Sequence, residues 1–173
     1  MAKVNTFERF ASDLKIGRPI LLGGYRSIFL DINEVNYLTK NGYATNANDG
    51  GVVIGKFHSQ GGIPLLRPSN QGYEYYAEME GYEFLLNSAA SRNHLKELDQ
   101  INSQIKSKFY LKLESIFEVQ PKNYAVPNEI RKIDLKNLHF QIILLPNCEG
   151  NFIVNRYSTK RNLTRLNYLN NNF

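Results

Sequence analysis

One short stretch occurs twice at a constant offset of 68 positions, and this constrains the fold more than any other feature of the sequence. The first copy reads Phe84-Leu-Leu-Asn87, a small polar run, then Leu95, Leu98, Ile101-Asn102 and Ile105. The second reads Phe152-Ile-Val-Asn155, then Leu163, Leu166, Leu169-Asn170 and Phe173, aligned without a gap. Ser91 falls on Thr159 and Arg92 on Lys160. Self-similarity at a fixed period describes building units. In each copy a run of strand formers passes through Asn into a segment with apolar residues every three or four positions, so the unit is strand, turn, helix. Phe84, Asn87, Leu95, Leu98 and Ile101, with Phe152, Asn155, Leu163, Leu166 and Leu169, are its expected structural core. An aspartate at Leu95 or Leu163 is expected to unfold its unit by burying an unpaired charge.

A chain of 173 residues suffices for one domain or two small ones, and 42% hydrophobic and 12% aromatic residues exclude a disordered polymer. A single cysteine, Cys148, excludes an internal disulfide framework and a cysteine-rich zinc site. There is no apolar run of about 18 residues, so no membrane-spanning helix is expected. The first residues lack the apolar core of a secretory signal. The net charge of +5 is mildly basic.

Along the chain, helices are expected at 5–15 and 33–41, the second closed by Gly42. Ile20-Leu21-Leu22 and Ser27–Ile32 read as a hairpin. The small, turn-forming residues of 44–51 read as a linker. Strands follow at 52–57, 73–80 and 83–87, the last two expected to pair antiparallel, with loops at 58–64 and 68–72. The first repeat helix is expected over 91–105 with Ser91 as its cap, and Leu138–Leu145 reads as a strand ended by Pro146. The fold class is therefore α+β: small antiparallel sheets with short packed helices, containing two related strand-turn-helix units. Three units are expected, at 1–48, 52–105 and 106–173. The Phe84 and Phe152 strands are expected to pair, with the two Leu-rich helices covering one face.

No catalytic signature matches the repeat in strength, and no catalytic, metal or cofactor residues are assigned. His58 sits beside a Gly-Gly turn, where a catalytic or phosphate-contacting role competes with that of a polar residue at a strand end. The sequence favours the latter, because no second histidine or carboxylate stands at a recognisable spacing. Glu74, Glu78, Glu80 and Glu83 cluster around a turn and could hold a metal or act as an acid–base pair. Glu74, Glu78 and Glu80 share a strand parity, which favours a solvated face. His94 is read as a surface or capping residue, since Asn162 replaces it in the second copy. Arg156, Lys160, Arg161 and Arg165, interleaved with Tyr157 and Tyr168, form a candidate nucleic-acid or anionic-partner patch. The alternative is the solvent side of an amphipathic helix.

His58-Ser-Gln-Gly-Gly-Ile-Pro64, Glu80-Gly-Tyr-Glu-Phe-Leu-Leu-Asn87 and the helix ending Ile101-Asn102 together resemble the C-terminal "GEFVIN"-type module of phage tail tape-measure and virion-associated proteins. Glu149-Gly-Asn-Phe-Ile-Val-Asn155, with Leu163 to Asn170, is similar to a second copy. The resemblance covers about 52–105 and 148–173. It implies a small structural protein of a phage or phage-like particle, made in a bacterial cytoplasm and located in the virion. Other virion or tail proteins would be its partners, homo-oligomerisation is expected, and no catalytic residues are implied. The contrasting expectations are a small nuclease or toxin-type enzyme using His58, and a nucleic-acid-binding accessory using the basic C-terminal repeat.

Overall fold

The computed structural model describes residues 29–60, 62–103, 126–135 and 142–173. The expected helix at 5–15 and the Ile20–Leu22 strand lie outside them. The elements run β1 (Phe29–Asp31), α1 (Ile32–Lys40), β2 (Ala44–Asn46), β3 (Gly51–Ile54), a 3-10 turn (His58–Gln60), β4 (Ile63–Ser69), β5 (Gly72–Met79) and β6 (Phe84–Leu85). Next come α2 (Ser88–Asn93), α3 (Leu95–Asn102), β7 (Lys132–Asp134), β8 (Ile142–Leu144), β9 (Ile153–Val154) and α4 (Arg156–Asn171). Helices and sheets together make an α+β protein. Antiparallel pairings predominate, with parallel ones at β2/β8, β4/β8 and β3/β7.

One sheet has the order β1-β5-β4-β8-β2 and the other β7-β3-β6-β9. Their inner faces meet through Leu65, Ile143, Val53, Leu85 and Ile133. The outer face of the first, through Leu30, Leu66, Ile142 and Leu144, packs on Val35 and Leu38 of α1. The outer face of the second, through Val52, Phe84 and Val154, packs on Leu98, Ile101, Leu166 and Leu169 of the repeat helices. The central strands are covered on both faces, so they read as continuous apolar runs such as Val52-Val53 and Leu65-Leu66 rather than alternating ones.

Helix α1 begins with a capping box: the Asn33 and Glu34 N–H groups donate to Asp31 Oδ1 at 2.8 and 2.9 Å, and the Asp31 N–H donates to Glu34 Oε2. Gly42, with φ of 74°, follows its end as the sequence indicates.

Four expectations are corrected. The segment 44–51 is not a linker: Ala44–Asn46 pairs parallel with Ile142–Leu144, a tertiary pairing that overrides local turn composition. The glycines there serve close approach, because a Cβ on Gly50 (φ 67°) would lie 2.4 Å from the Leu85 carbonyl oxygen. Nor are the three expected units separate bodies: β1 and β2 of the first share a sheet with β4 and β5 of the second and β8 of the third. Strand β5 does not pair with β6 either. The Tyr82 N–H donates to the Val53 oxygen (2.7 Å) and the Val53 N–H to the Glu83 oxygen (2.9 Å), which carries the chain into the second sheet. Finally, Leu95 is 53% exposed and is not core, whereas Leu163 packs partly buried against the helical core.

The repeat itself is realised as an internal two-fold arrangement. Leu85 pairs antiparallel with Ile153, its own counterpart 68 residues on, so a pseudo-dyad passes between them. The strand asparagine of each copy grips the helix-end asparagine of the other. The Asn87 N–H and Nδ2 donate to Asn170 Oδ1 and O at 2.8 and 2.7 Å. The Asn155 N–H and Nδ2 donate to Asn102 Oδ1 and O at 2.8 and 3.0 Å. Asn87 and Asn155 also cap the following helices, accepting from the Ala90 and Ser158 N–H groups. The first repeat helix therefore starts at Ser88, not Ser91. The Ser91 hydroxyl instead donates to the Asn87 oxygen (2.7 Å) and accepts from the Phe152 N–H (2.8 Å). Both repeat helices break at equivalent residues, His94 (φ −120°, ψ 16°) and Asn162 (φ −123°, ψ 19°).

Candidate functional site

The copies differ at every position from 80 to 83, where β5 hands over to β6, and there polar side chains converge. Three pieces of backbone build the site. The 3-10 turn after Phe57 presents His58. The end of β5 and the turn after it present Glu78, Glu80 and Glu83. The start of α4, just beyond the Asn155 cap, presents Arg156. The turn is tight: a Cβ on Gly81 would stand 2.3 Å from the Gly55 oxygen, and Tyr82 takes a left-handed φ of 67°. Position 82 corresponds to Gly150 in the second copy, which also has positive φ.

His58 Nδ1 forms a short contact with Glu78 Oε1, and the His58 backbone N–H donates to Glu80 Oε2 at 3.3 Å. The Glu80 N–H donates to Glu83 Oε2 at 3.0 Å. Arg156 Nε lies 3.8 Å from Glu80 Oε1, and its guanidinium sits 4.9 Å from the centroid of the Phe57 ring, which stacks on Tyr82. Glu83 is only 9% exposed. Burial pushes its carboxyl up to about 7; the Glu80 charge adds to the rise, while the Glu80 N–H, His58 and Arg156 oppose it. A nitrogen of His58 and one oxygen each of Glu80 and Glu83 lie within 4.8 Å of one another. Together these groups offer metal-ligand chemistry and a carboxyl poised near neutrality.

The reading of Glu74, Glu78 and Glu80 as one solvated face is therefore replaced. Glu74 pairs with Arg67 on the neighbouring strand at 2.7 Å, while Glu78 and Glu80 turn toward His58. Sequence reasoning named His58, the glutamates and Arg156 separately. It missed their convergence, since Arg156 is brought in only by the pairing of β6 with β9.

The four basic residues of the second copy are dispersed. Arg156 turns to Glu80 and Phe57. Arg161 contacts the Tyr157 hydroxyl and ring. Arg165 forms a two-pronged pair with Glu97 at 2.6 and 2.9 Å and lies over Tyr168. Lys160 is exposed. Glu97 and Arg165 occupy equivalent positions, so this pair spans the pseudo-dyad. The Arg165 hydrogen bond holds the Glu97 carboxyl below its ordinary value. His94 caps no helix N-terminus with its side chain; its Nε2 lies 3.0 Å from the Asn172 oxygen. Among the described residues, no helix is long and apolar enough to cross a membrane. Compared with protein-family models, curated proteins and solved structures, the chain matches none of them.

Proposed function

We propose that this chain is a structural component of a phage or phage-like particle, a tail- or virion-associated protein that works through protein–protein contacts. The observation that carries this reading is the internal pseudo-dyad, with its paired strands and reciprocal asparagine clasps. Contacts of this kind, in which position i meets j while j meets i, are those of an isologous subunit interface. Here they are made within one chain. A module that pairs with its own copy is an assembly unit, and the residues shared by both copies cap, pack and pair. The resemblance to the C-terminal module of tape-measure and related virion proteins points the same way, and homo-oligomers and other virion proteins are the partners it supports.

Particles purified by density gradient from cells encoding the chain provide the test. Quantitative mass spectrometry is expected to find the protein at a fixed ratio to the major structural proteins, and antibody labelling to place it at one location on the particle. Recovery only in the particle-free fraction overturns the proposal. A second reading, an enzyme acting through His58, draws on the convergence of Glu78, Glu80, Glu83 and Arg156 around that residue. It expects His58→Ala to abolish an activity while leaving assembly intact.

A further inference from the structure

We propose that His58, Glu80 and Glu83 form a binding site for one divalent transition-metal cation, Zn2+ or Mn2+. The donor set is one imidazole and two carboxylates, which suits these ions. Donors about 2.0–2.2 Å from a shared tetrahedral ion stand about 3.3–3.6 Å apart. The three donor atoms lie within 4.8 Å of one another. Side-chain movement of up to about 1.5 Å brings them to that spacing, and the His58 side chain, 53% exposed, has the freedom to move.

Three further observations carry the inference. The first is charge: three carboxyl groups, Glu78, Glu80 and Glu83, gather around His58 while one guanidinium, Arg156, lies against Glu80, an acidic excess that suits a cation. The second is orientation. Glu78 engages Nδ1 of His58, and a carboxylate accepting from a histidine ring nitrogen is the contact that commonly orients metal-bound imidazoles. The third is the internal control provided by the repeat. Positions 80, 83 and 156 correspond to Cys148, Asn151 and Ser88 in the other half of the pseudo-dyad. That half builds the same strand, cap and broken helix without the cluster, so the scaffold does not require it. A buried carboxylate that the fold can do without costs stability, and a cation removes that cost. The inference is independent of the particle assignment.

The test is calorimetric titration of the full-length, untagged, chelator-treated protein with Zn2+ and Mn2+ at neutral pH. Metal content after dialysis is read by mass spectrometry. One ion per chain is expected, with a rise in melting temperature. His58→Ala and Glu80→Gln are each expected to weaken binding about 10-fold or more, and Glu78→Gln, acting through His58, about 10-fold. Cys148→Ser controls for the exposed thiol and is expected to leave the affinity unchanged. His58 is exposed, so His58→Ala keeps the proposal falsifiable even where a glutamate variant fails to fold. Absence of saturable binding by either ion overturns the site, as does binding that His58→Ala and Glu80→Gln leave intact.

Discussion

Asn87 performs three tasks at once: its Oδ1 accepts from the Ala90 N–H, its Nδ2 donates to the Asn170 oxygen, and its own N–H donates to Asn170 Oδ1. Both residues are buried. Removing the side chain deletes a helix cap and strands a buried carbonyl, effects of about 1 kcal/mol and about 1–3 kcal/mol. Asn87→Ala is therefore expected to lower stability by about 2–4 kcal/mol in urea denaturation. A double-mutant cycle with Asn170→Ala should give a coupling well above zero. Glu83 makes the opposite kind of prediction. Its carboxyl titrates at about 7 in the fold against 4.5 ordinarily. Between those values the folded chain keeps a proton that the unfolded chain has released, so stability falls as pH rises through that window. With chelator present, Glu83→Gln should match the parent near pH 4.5 and exceed it by about 2–4 kcal/mol at pH 8, at roughly 1.4 kcal/mol per pH unit. Melting curves across pH check this. Both residues could be named from sequence, Asn87 by its recurrence as Asn155 and Glu83 by its acidic neighbours. Their partners could not, because a repeat reveals which positions are equivalent but not which ones touch.

Elements were more legible than their pairing. Helix α1 announces itself through its helical stretch and Gly42, and β5 through its strand formers, whereas β4 runs Ile63–Ser69 through residues that read mostly as loops, with Pro64 and Pro68 inside it. What local pattern could not reveal is that Gly81-Tyr82 switches sheets rather than closing a hairpin. The reason is steric and tertiary: the turn presses onto Gly55, and its N–H groups bond to β3 and its neighbour Lys56. A side chain at Gly81 would meet backbone, which has little room to yield. Gly81→Ala is accordingly expected to cost more than about 2 kcal/mol and to displace Glu80 and Glu83 together. The corresponding check is a lowered urea midpoint, with any metal affinity reduced in parallel. Leu95 illustrates the converse. Its heptad-like spacing suggested core, but the break at His94 rotates the helix so that Leu95 lies exposed above Phe152 while Leu98 and Ile101 turn inward. Leu95→Asp should therefore be tolerated, unlike aspartate at Leu98.

For the whole molecule, the pseudo-dyad makes a demanding prediction. The second copy supplies Val154, Leu166 and Leu169 to a core whose other half is Phe84, Leu98 and Ile101 of the first. Ending the chain after residue 147 removes that half and exposes the β6 edge, the Asn87 donors and an apolar face together. A second truncated chain offers equivalent groups in equivalent places. Leu85 would pair with Leu85 of the other chain as it now pairs with Ile153, and Asn87 would grip the other chain's Asn102 as it now grips Asn170. The truncated protein is thus expected to run as a dimer in size-exclusion chromatography with light scattering, whereas the full chain forms this interface internally. Asn102→Ala in the truncated chain should shift the population toward monomer, because each chain loses one clasp. A folded, strictly monomeric truncation would mean that the second copy contributes something the first cannot replace, and that the dyad arises from chain connectivity rather than self-complementarity.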